Sequence, residues 1–370
     1  MKLLLGVPDL DLASGGLAAV AQRLTAELAA QSQQVTLAYS VDPARPRLSL
    51  PPGVQALEYP RQGPPWQYWR QSRARLRAWL AAERPDLVHD HGLWRPENAA
   101  FQSAAGAGGP PLLVQPCGML QDWPLRQSRL KKQLAWRLYQ RRLIAGAAAV
   151  IATSEDERRE TAPRLPPGPE LVCIPHGVEL PAAAPVLARE RRAVYLGRLH
   201  PKKQVDVLLR AWARLRPPGW QLHIAGGGEP AHERELRQLA EQSGLGDSVR
   251  FLGVVQGEAK SALLAGSQLF LQPSLQENFG LAVAEALAHG LPALTTRGTP
   301  WSEVEAQGCG WWVAPDAASV QGALAQALAL TPEQLAAMGE RARQLAARYS
   351  WAEAARQTLA LYQRVLERGR

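Results

Sequence analysis

Short apolar runs alternate with longer segments of helical spacing, and the alternation begins twice; this is the feature that most limits what the chain can fold into. Residues 2–7, 34–40, 86–91, 112–115, 147–153 and 171–174 read as strands, and 17–31, 70–83 and 125–145 as helices. A stretch rich in proline and alanine with a charged end follows, at 175–192. The alternation then resumes with strands at 193–197, 220–225, 248–252 and 268–272 and helices at 205–215, 232–242 and 281–288. Successive strand–helix units imply parallel, doubly wound sheets, because each crossover returns the chain to the same edge direction. At 370 residues the chain exceeds one ordinary core. The boundary is placed within 181–191, giving domains 1–182 and 192–350. A last helix, 351–370, follows the Tyr349-Ser350 break.

Cys117, Cys173 and Cys309 are widely spaced and form no C-x-x-C pair, which speaks against a disulfide scaffold or zinc site and for a reducing compartment. The apolar run at 2–7 meets Asp9 at once, too early for a secretory signal. The longest apolar run, 143–152, falls well short of the roughly 20 residues of a membrane span. The expectation is a cytoplasmic chain, or one held peripherally at the cytosolic face of a membrane. The net charge of +9 is unevenly spread. Residues 126–142 carry seven basic side chains (Arg126, Arg129, Lys131, Lys132, Arg137, Arg141, Arg142) and no acidic one. Residues 66–84 carry Arg70, Arg73, Arg75, Arg77 and Arg84 against Glu83 alone, with Trp66, Tyr68, Trp69 and Trp79 interleaved. Such helices suit an anionic membrane surface or a phosphate-bearing acceptor; a merely solvated face is the other reading. No recognised nucleic-acid module accompanies the charge, so nucleic acid is not expected as a partner.

The densest chemistry lies at 276–285, where Glu277 and Glu285 stand eight residues apart across a strand–loop–helix transition. The helix start at Phe279, Gly280 and Leu281 offers backbone N–H groups between the two carboxylates. Amides attract phosphate and carboxylates accept from hydroxyls, so a ligand carrying both, such as a nucleotide-sugar, fits. Taken alone, the pattern is better explained by two surface glutamates beside a helix start, where the dipole favours them.

Further motifs extend the pattern. Tyr195-Leu196-Gly197-Arg198-Leu199-His200-Pro201-Lys202-Lys203, Ile224-Ala225-Gly226-Gly227-Gly228-Glu229 and Val249-Arg250-Phe251-Leu252-Gly253 precede the Glu277…Glu285 element. Ser14-Gly15-Gly16, His89-Asp90-His91-Gly92-Leu93-Trp94 and Ile174-Pro175-His176-Gly177-Val178 occupy the first half. In this order and spacing the set resembles the retaining GT-B glycosyltransferases of family GT4, over essentially the full chain. The resemblance implies two Rossmann-like domains facing a cleft, the first binding acceptor and the second the nucleotide-sugar, with the C-terminal helix crossing back to the first. It also implies a hexosyltransferase moving a sugar from a UDP- or GDP-sugar to an acceptor hydroxyl, with no metal and no cofactor. The nucleotide phosphate itself would deprotonate the acceptor.

In that reading Arg198 and Lys203 neutralise the diphosphate as ligand and as leaving group, with Lys202 as the competitor to Lys203. Glu277 accepts sugar hydroxyls; the backbone at Asn278, Phe279, Gly280 and Leu281 meets sugar and phosphate; Glu285 holds the ribose. Gly226 and Val254 lie beside the base, and Gly16 opens a helix N-terminus toward phosphate. His89 and His91 alternate along a strand and so share a face, with His91 chosen for contact with the donor; a buried, hydrogen-bonded histidine is the alternative. Asp9-Leu10-Asp11 looks like a metal-binding D-x-D pair, but nothing around it supports a metal, and it reads as a polar loop. One departure stands out: the family usually has glycine after the lysine, and here it is Gln204. The His-Gly-Leu-Trp segment and Pro116-Cys117-Gly118-Met119-Leu120 resemble the subset that builds polysaccharides and lipid-linked glycans. Two rivals remain: another GT-B enzyme, such as a nucleotide-sugar epimerase or a phosphorylase, and a non-catalytic nucleotide-sugar binder.

Overall fold

The computed structural model describes residues 1–106, 108–181 and 189–368, and divides into two compact units, Met1–Gly177 with Trp351–Arg370, and Val178–Ser350. Residues 182–188, inside the linker where the sequence places the boundary, lie outside the described residues. Val178 already belongs to the second unit: its N–H donates to the Tyr349 carbonyl at 2.7 Å.

Among the described residues the first unit forms a sheet of β1 (Lys2–Asp9), β2 (Gln34–Val41), β3 (Val54–Pro60), β4 (Leu87–His91), β5 (Leu112–Gln115), β6 (Ala149–Ala152) and β7 (Glu170–Cys173). Their order is β3-β2-β1-β4-β5-β6-β7 and the pairings are parallel. Helices cover both faces, so β1 is buried on both sides and reads as an unbroken apolar run rather than an alternation. Leu3 and Leu5 enter one core with Ala18, Leu24 and Leu28, while Leu4 enters the other with Val88, Phe101 and Ile144. The helix Trp351–Arg368 places Ala355, Leu361, Tyr362 and Val365 in the first of these cores. The last helix is therefore part of the first unit although a whole unit intervenes in sequence.

The second unit forms a sheet, among the described residues, of β8 (Arg192–Leu196), β9 (Gln221–Ala225), β10 (Val249–Gly253), β11 (Leu269–Gln272), β12 (Ala293–Thr296) and β13 (Gly310–Val313). It too is parallel, in the order β10-β9-β8-β11-β12-β13. In both sheets the strand order reverses beside the first strand, between β1 and β4 and between β8 and β11. Such a switch point opens a crevice beyond the carboxyl ends of the strands, where ligands bind in doubly wound folds.

Two expectations are corrected. The helix expected at 125–145 is broken: Asp122–Arg126 ends, Ser128 takes a left-handed φ of 52°, and Arg129–Ala135, a π turn at Trp136–Gln140 and Arg141–Ala145 follow. Gln127 and Ser128 carry no glycine or proline to announce the break, and the Lys132 ammonium caps the first piece at the Pro124 carbonyl, 2.5 Å away. The helix expected from residue 70 starts at Pro65, where a proline occupies the first turn without losing a hydrogen bond.

Candidate active site

At the β8/β11 switch point two loops are laced together. The loop after β8 forms a short 3-10 turn, Pro201–Lys203, begun by the His200 ring accepting the Lys202 N–H at 3.2 Å and closed by the Lys203 N–H on the His200 carbonyl at 2.8 Å. The loop after β11 joins it through the Leu275 N–H, which donates to the Lys202 carbonyl at 2.7 Å. The Glu277 N–H donates to the Gly298 carbonyl of the loop after β12, also at 2.7 Å. These ties bring Lys203 and Glu277, distant in sequence, into a nearly buried ion pair.

The Glu277 carboxylate is held on one side. Lys203, Gln272 (2.9 Å) and Ser274 (2.7 Å) all donate to Oε1, and among the described residues none donates to Oε2. Burial pushes the Glu277 carboxyl up, but the Lys203 and Lys202 ammonium groups and the Lys203 and Ser274 hydrogen bonds outweigh it and hold it below the ordinary carboxylate range. An ionised carboxylate with one oxygen anchored and the other uncommitted is a fixed acceptor for ligand hydroxyls. Arg198 stands exposed on the same loop, and among the described residues no carboxylate pairs with it.

The helix Leu281–Ala288 begins at Gly280, whose φ of 80° requires a left-handed residue. Its start is anchored from behind: Phe279 is buried against Trp301 and Tyr349, and the Trp301 indole donates to the Phe279 carbonyl at 2.5 Å. The first bonds at this helix start run from the Val283 and Ala284 N–H groups to the Gly280 carbonyl, at 2.9 and 3.3 Å, so the N–H groups of Leu281 and Ala282 ahead of them are left without intrahelical acceptors. Asn278 and Leu281 are half-buried. Glu285 is half-buried and paired with Lys260 at 2.7 Å. Val254 is well exposed, at 69 %. Gly226 has a packing reason of its own, independent of any base. A side chain there would collide with the Gly197 carbonyl oxygen, so this glycine already serves the packing of the loop after β9 on the loop after β8.

Gln204 ends the 3-10 turn with φ 53° and ψ 39°, in the left-handed region where the resembled family has glycine. A non-glycine residue there costs about 1–2 kcal/mol, partly offset by the lower unfolded-state entropy of glutamine. Gln204→Gly is therefore expected to raise unfolding stability by about 0.5–1 kcal/mol, read from the urea midpoint. A drop would mean that the Gln204 amide, 3.4 Å from the Pro315 carbonyl, outweighs the strain.

In the first unit the His89 and His91 rings share a face, 4.2 Å apart between centroids, as the strand alternation requires. Both are fully buried. His91 Nδ1 lies 3.1 Å from the Gly6 carbonyl, an acceptor only, so Nδ1 carries the proton and Nε2 the lone pair. Nε2 has no hydrogen-bond partner among the described residues. Burial lowers His91 to about 4, and burial together with the nearby His91 lowers His176 to about 3, so both rings are neutral near pH 7. His89 Nδ1 meets the Tyr362 hydroxyl at 2.7 Å, tying the last helix to β4. Gly16, itself exposed, opens the helix Gly16–Ala30, next to Gly15 with φ 66°.

The expected polar loop at Asp9 and Asp11 is instead a buried ion network. Arg61 donates to Asp9 at 3.1 Å and to Asp11 at 2.9 Å, and Arg95 pairs with Asp9 at 3.1 Å. Guanidinium groups, not open water, are what these carboxylates face.

Residues 15–177 match the family model described as Glycosyl transferase 4-like domain, and residues 182–345 match the model described as Glycosyl transferases group 1. The chain belongs to the group 1 glycosyltransferases. A phosphatidyl-myo-inositol mannosyltransferase of Mycobacterium leprae (strain TN) is 28% identical to this glycosyltransferase over 379 residues, 96% of this chain and 94% of that one. A GDP-mannose:cellobiosyl-diphosphopolyprenol alpha-mannosyltransferase of Komagataeibacter xylinus is 31% identical over 205 residues, 54% of this chain and 52% of that one. Among solved structures, sucrose-phosphate synthase from Thermosynechococcus elongatus superposes with a TM-score of 0.81 at 21% identity, covering 99% of both chains. At that identity the likeness speaks for the fold, which is GT-B with two Rossmann-like domains.

Several residues of the candidate site escape sequence reasoning. Gln272 and Ser274, which anchor Glu277, sit in a Gln-Pro-Ser break that signals only the end of a strand. Lys260 lies 25 residues from Glu285 with no pattern linking the two.

Proposed function

We propose that this glycosyltransferase is a retaining, metal-independent hexosyltransferase that moves a sugar from a UDP- or GDP-sugar to an acceptor hydroxyl. The observation that carries the reading is the switch-point cluster: an ionised Glu277 with one free oxygen, paired with Lys203 and sharing a loop system with exposed Arg198. Glu277 Oε2 would accept a hydroxyl of the transferred sugar. Arg198 and Lys203 would take up negative charge as the diphosphate leaves, the work a metal does elsewhere. The backbone from Asn278 to Leu281 would hold sugar and phosphate oxygens, Glu285 the ribose, and Gly226 and Val254 the base. Gly16 and His91 stand on the other unit, and their part rests on the resemblance. His91, neutral with its lone pair on Nε2, is suited to accept from a hydroxyl rather than donate to a phosphate.

The second unit would then be the donor domain and the first the acceptor domain. The names of the two relatives mention a phosphatidyl lipid and a diphosphopolyprenol, which supports a glycan or lipid-linked acceptor here as well. Among the described residues no helix is long and apolar enough to cross a membrane. The basic helices support peripheral contact with an anionic membrane from the cytosolic side.

The test is transfer from labelled UDP- and GDP-sugars by EDTA-treated protein, with the anomeric configuration of the product read by NMR. Acceptor-dependent transfer with retained configuration is expected. Inverted product, or loss of activity rescued by Mn²⁺ or Mg²⁺, would overturn the corresponding half of the proposal. An altered sugar released without acceptor would indicate an epimerase.

A further inference from the structure

The first unit holds a cavity of about 630 Å³. Trp94 and Trp136 form part of its wall, their rings 6.2 Å apart, with Trp94 fixed by its indole N–H on the Met119 carbonyl at 3.1 Å. Arg126, Arg129, Lys132 and Arg137 line it as well. The Lys132 ammonium lies 5.9 Å from the Trp94 ring centre. Asp122 is the only carboxylate among the described lining residues, and Arg164 pairs with it. The other cations therefore face the cavity with no acid lining it against them. A half-apolar, strongly cationic cavity of this size suits an organic phosphate.

The outside of the same helix is unusual in the opposite sense. Leu130, Leu134 and Leu138 are 81 %, 59 % and 70 % exposed. Spaced four apart, they form one line along the helix, each next in sequence to a residue that lines the cavity. A single exposed leucine needs no explanation, but a row of three among basic residues does. An apolar stripe edged by Lys and Arg is the pattern of a helix lying in a lipid–water interface. A second copy of the chain would also cover the leucines, but it would set seven basic residues against seven with no acid among them. An anionic lipid surface complements both properties at once.

We infer that this helix and its cavity bind a phosphate-bearing amphiphile at an anionic lipid surface, the phosphate among Arg126, Arg129, Lys132 and Arg137 and the apolar chain along Leu130, Leu134 and Leu138. Under the glycosyl-transfer reading, on which this role rests, the amphiphile is the acceptor or its anchor. A soluble phosphate would fill only the cavity and leave the leucines in water.

The experiment uses the full chain, with farnesyl diphosphate and inorganic pyrophosphate as calorimetric probes, and flotation on phosphatidylcholine vesicles with and without phosphatidylglycerol. The wild type should bind farnesyl diphosphate at least about tenfold more tightly than pyrophosphate, and float only with the anionic lipid. Arg129→Gln with Lys132→Gln should weaken both probes about tenfold or more. Leu130→Ser with Leu134→Ser and Leu138→Ser, all at exposed positions, should weaken farnesyl diphosphate alone and abolish flotation. Equal affinity for the two probes, or flotation unchanged in the leucine variant, overturns the inference. So does a dimer that dissociates in that variant, which would assign the stripe to a second copy. UDP and GDP titrations run alongside: nucleotide binding without amphiphile binding sinks only this inference, and amphiphile binding without nucleotide binding sinks the transfer reading.

Discussion

Lys203→Met is expected to cost roughly 3 kcal/mol of stability and to slow sugar transfer about a hundredfold or more. Two effects should coincide because Lys203 is half of a buried ion pair and, in the proposed reaction, also a cation for the leaving group. In the resting protein it is the nearest counter-charge to Glu277, whose side chain is only 8 % exposed. Without it, burial pulls the Glu277 carboxyl upward, opposed only by the more distant Lys202 and the remaining hydrogen bonds. The stability loss is therefore that of an orphaned buried carboxylate, not the net worth of the pair. Glu277→Gln alone strands Lys203 in the same way. The double variant, Lys203→Met with Glu277→Gln, removes both charges and should regain stability to within about 1 kcal/mol of wild type, because a neutral pair pays no uncompensated desolvation. Turnover should not return, since neither the hydroxyl acceptor nor the phosphate cation is restored. Urea unfolding and initial transfer rates on the four proteins decide it. A double variant that regained rate along with stability would make the pair a structural clasp and nothing more.

Much of the fold was legible because its determinants are local. The strands β1, β4, β5 and β11 are buried on both faces, and a short apolar run bounded by turns has few other destinations. The helices Val205–Leu215 and Leu281–Ala288 fall where their spacing puts them, between clear breaks. By contrast, β3 is half exposed and ends on a proline, so its pattern looks like a loop until β2 pairs with it. Ser128 breaks a helix that every residue around it would continue.

The candidate site divides along the same line. Arg198, Lys203, Glu277 and Glu285 are visible because their spacing is carried by single loops and one helix turn. Their partners are set by which loops the sheet order brings together. Lys203 meets Glu277 only because β8 and β11 are neighbours, 74 residues apart along the chain at this contact. Asp9 and Asp11 look like an open acidic pair for the same reason: Arg61 and Arg95, which occupy them, arrive from distant segments.

Arg198 calls for the opposite signature from Lys203. Its side chain is exposed and makes no ion pair with a described carboxylate, and what fixes the loop is its backbone carbonyl, which accepts from the Tyr195 hydroxyl at 3.0 Å. Truncation to alanine keeps that bond, so stability should stay within about 0.5 kcal/mol of wild type. Turnover should nonetheless fall about a hundred- to a thousandfold, the usual effect of removing one donor aimed at developing charge. The loss should fall mainly on kcat, because the charge on the departing diphosphate is greater in the transition state than in the bound donor. Arg198→Lys keeps the charge but loses the planar fork that grips two phosphate oxygens, so an intermediate loss of about tenfold is expected. A rise in KM with kcat intact would mean that Arg198 only recruits the donor. Near-normal turnover in Arg198→Ala would remove it from the phosphate clamp and leave Lys203 and Lys202 as the cations available to the leaving group.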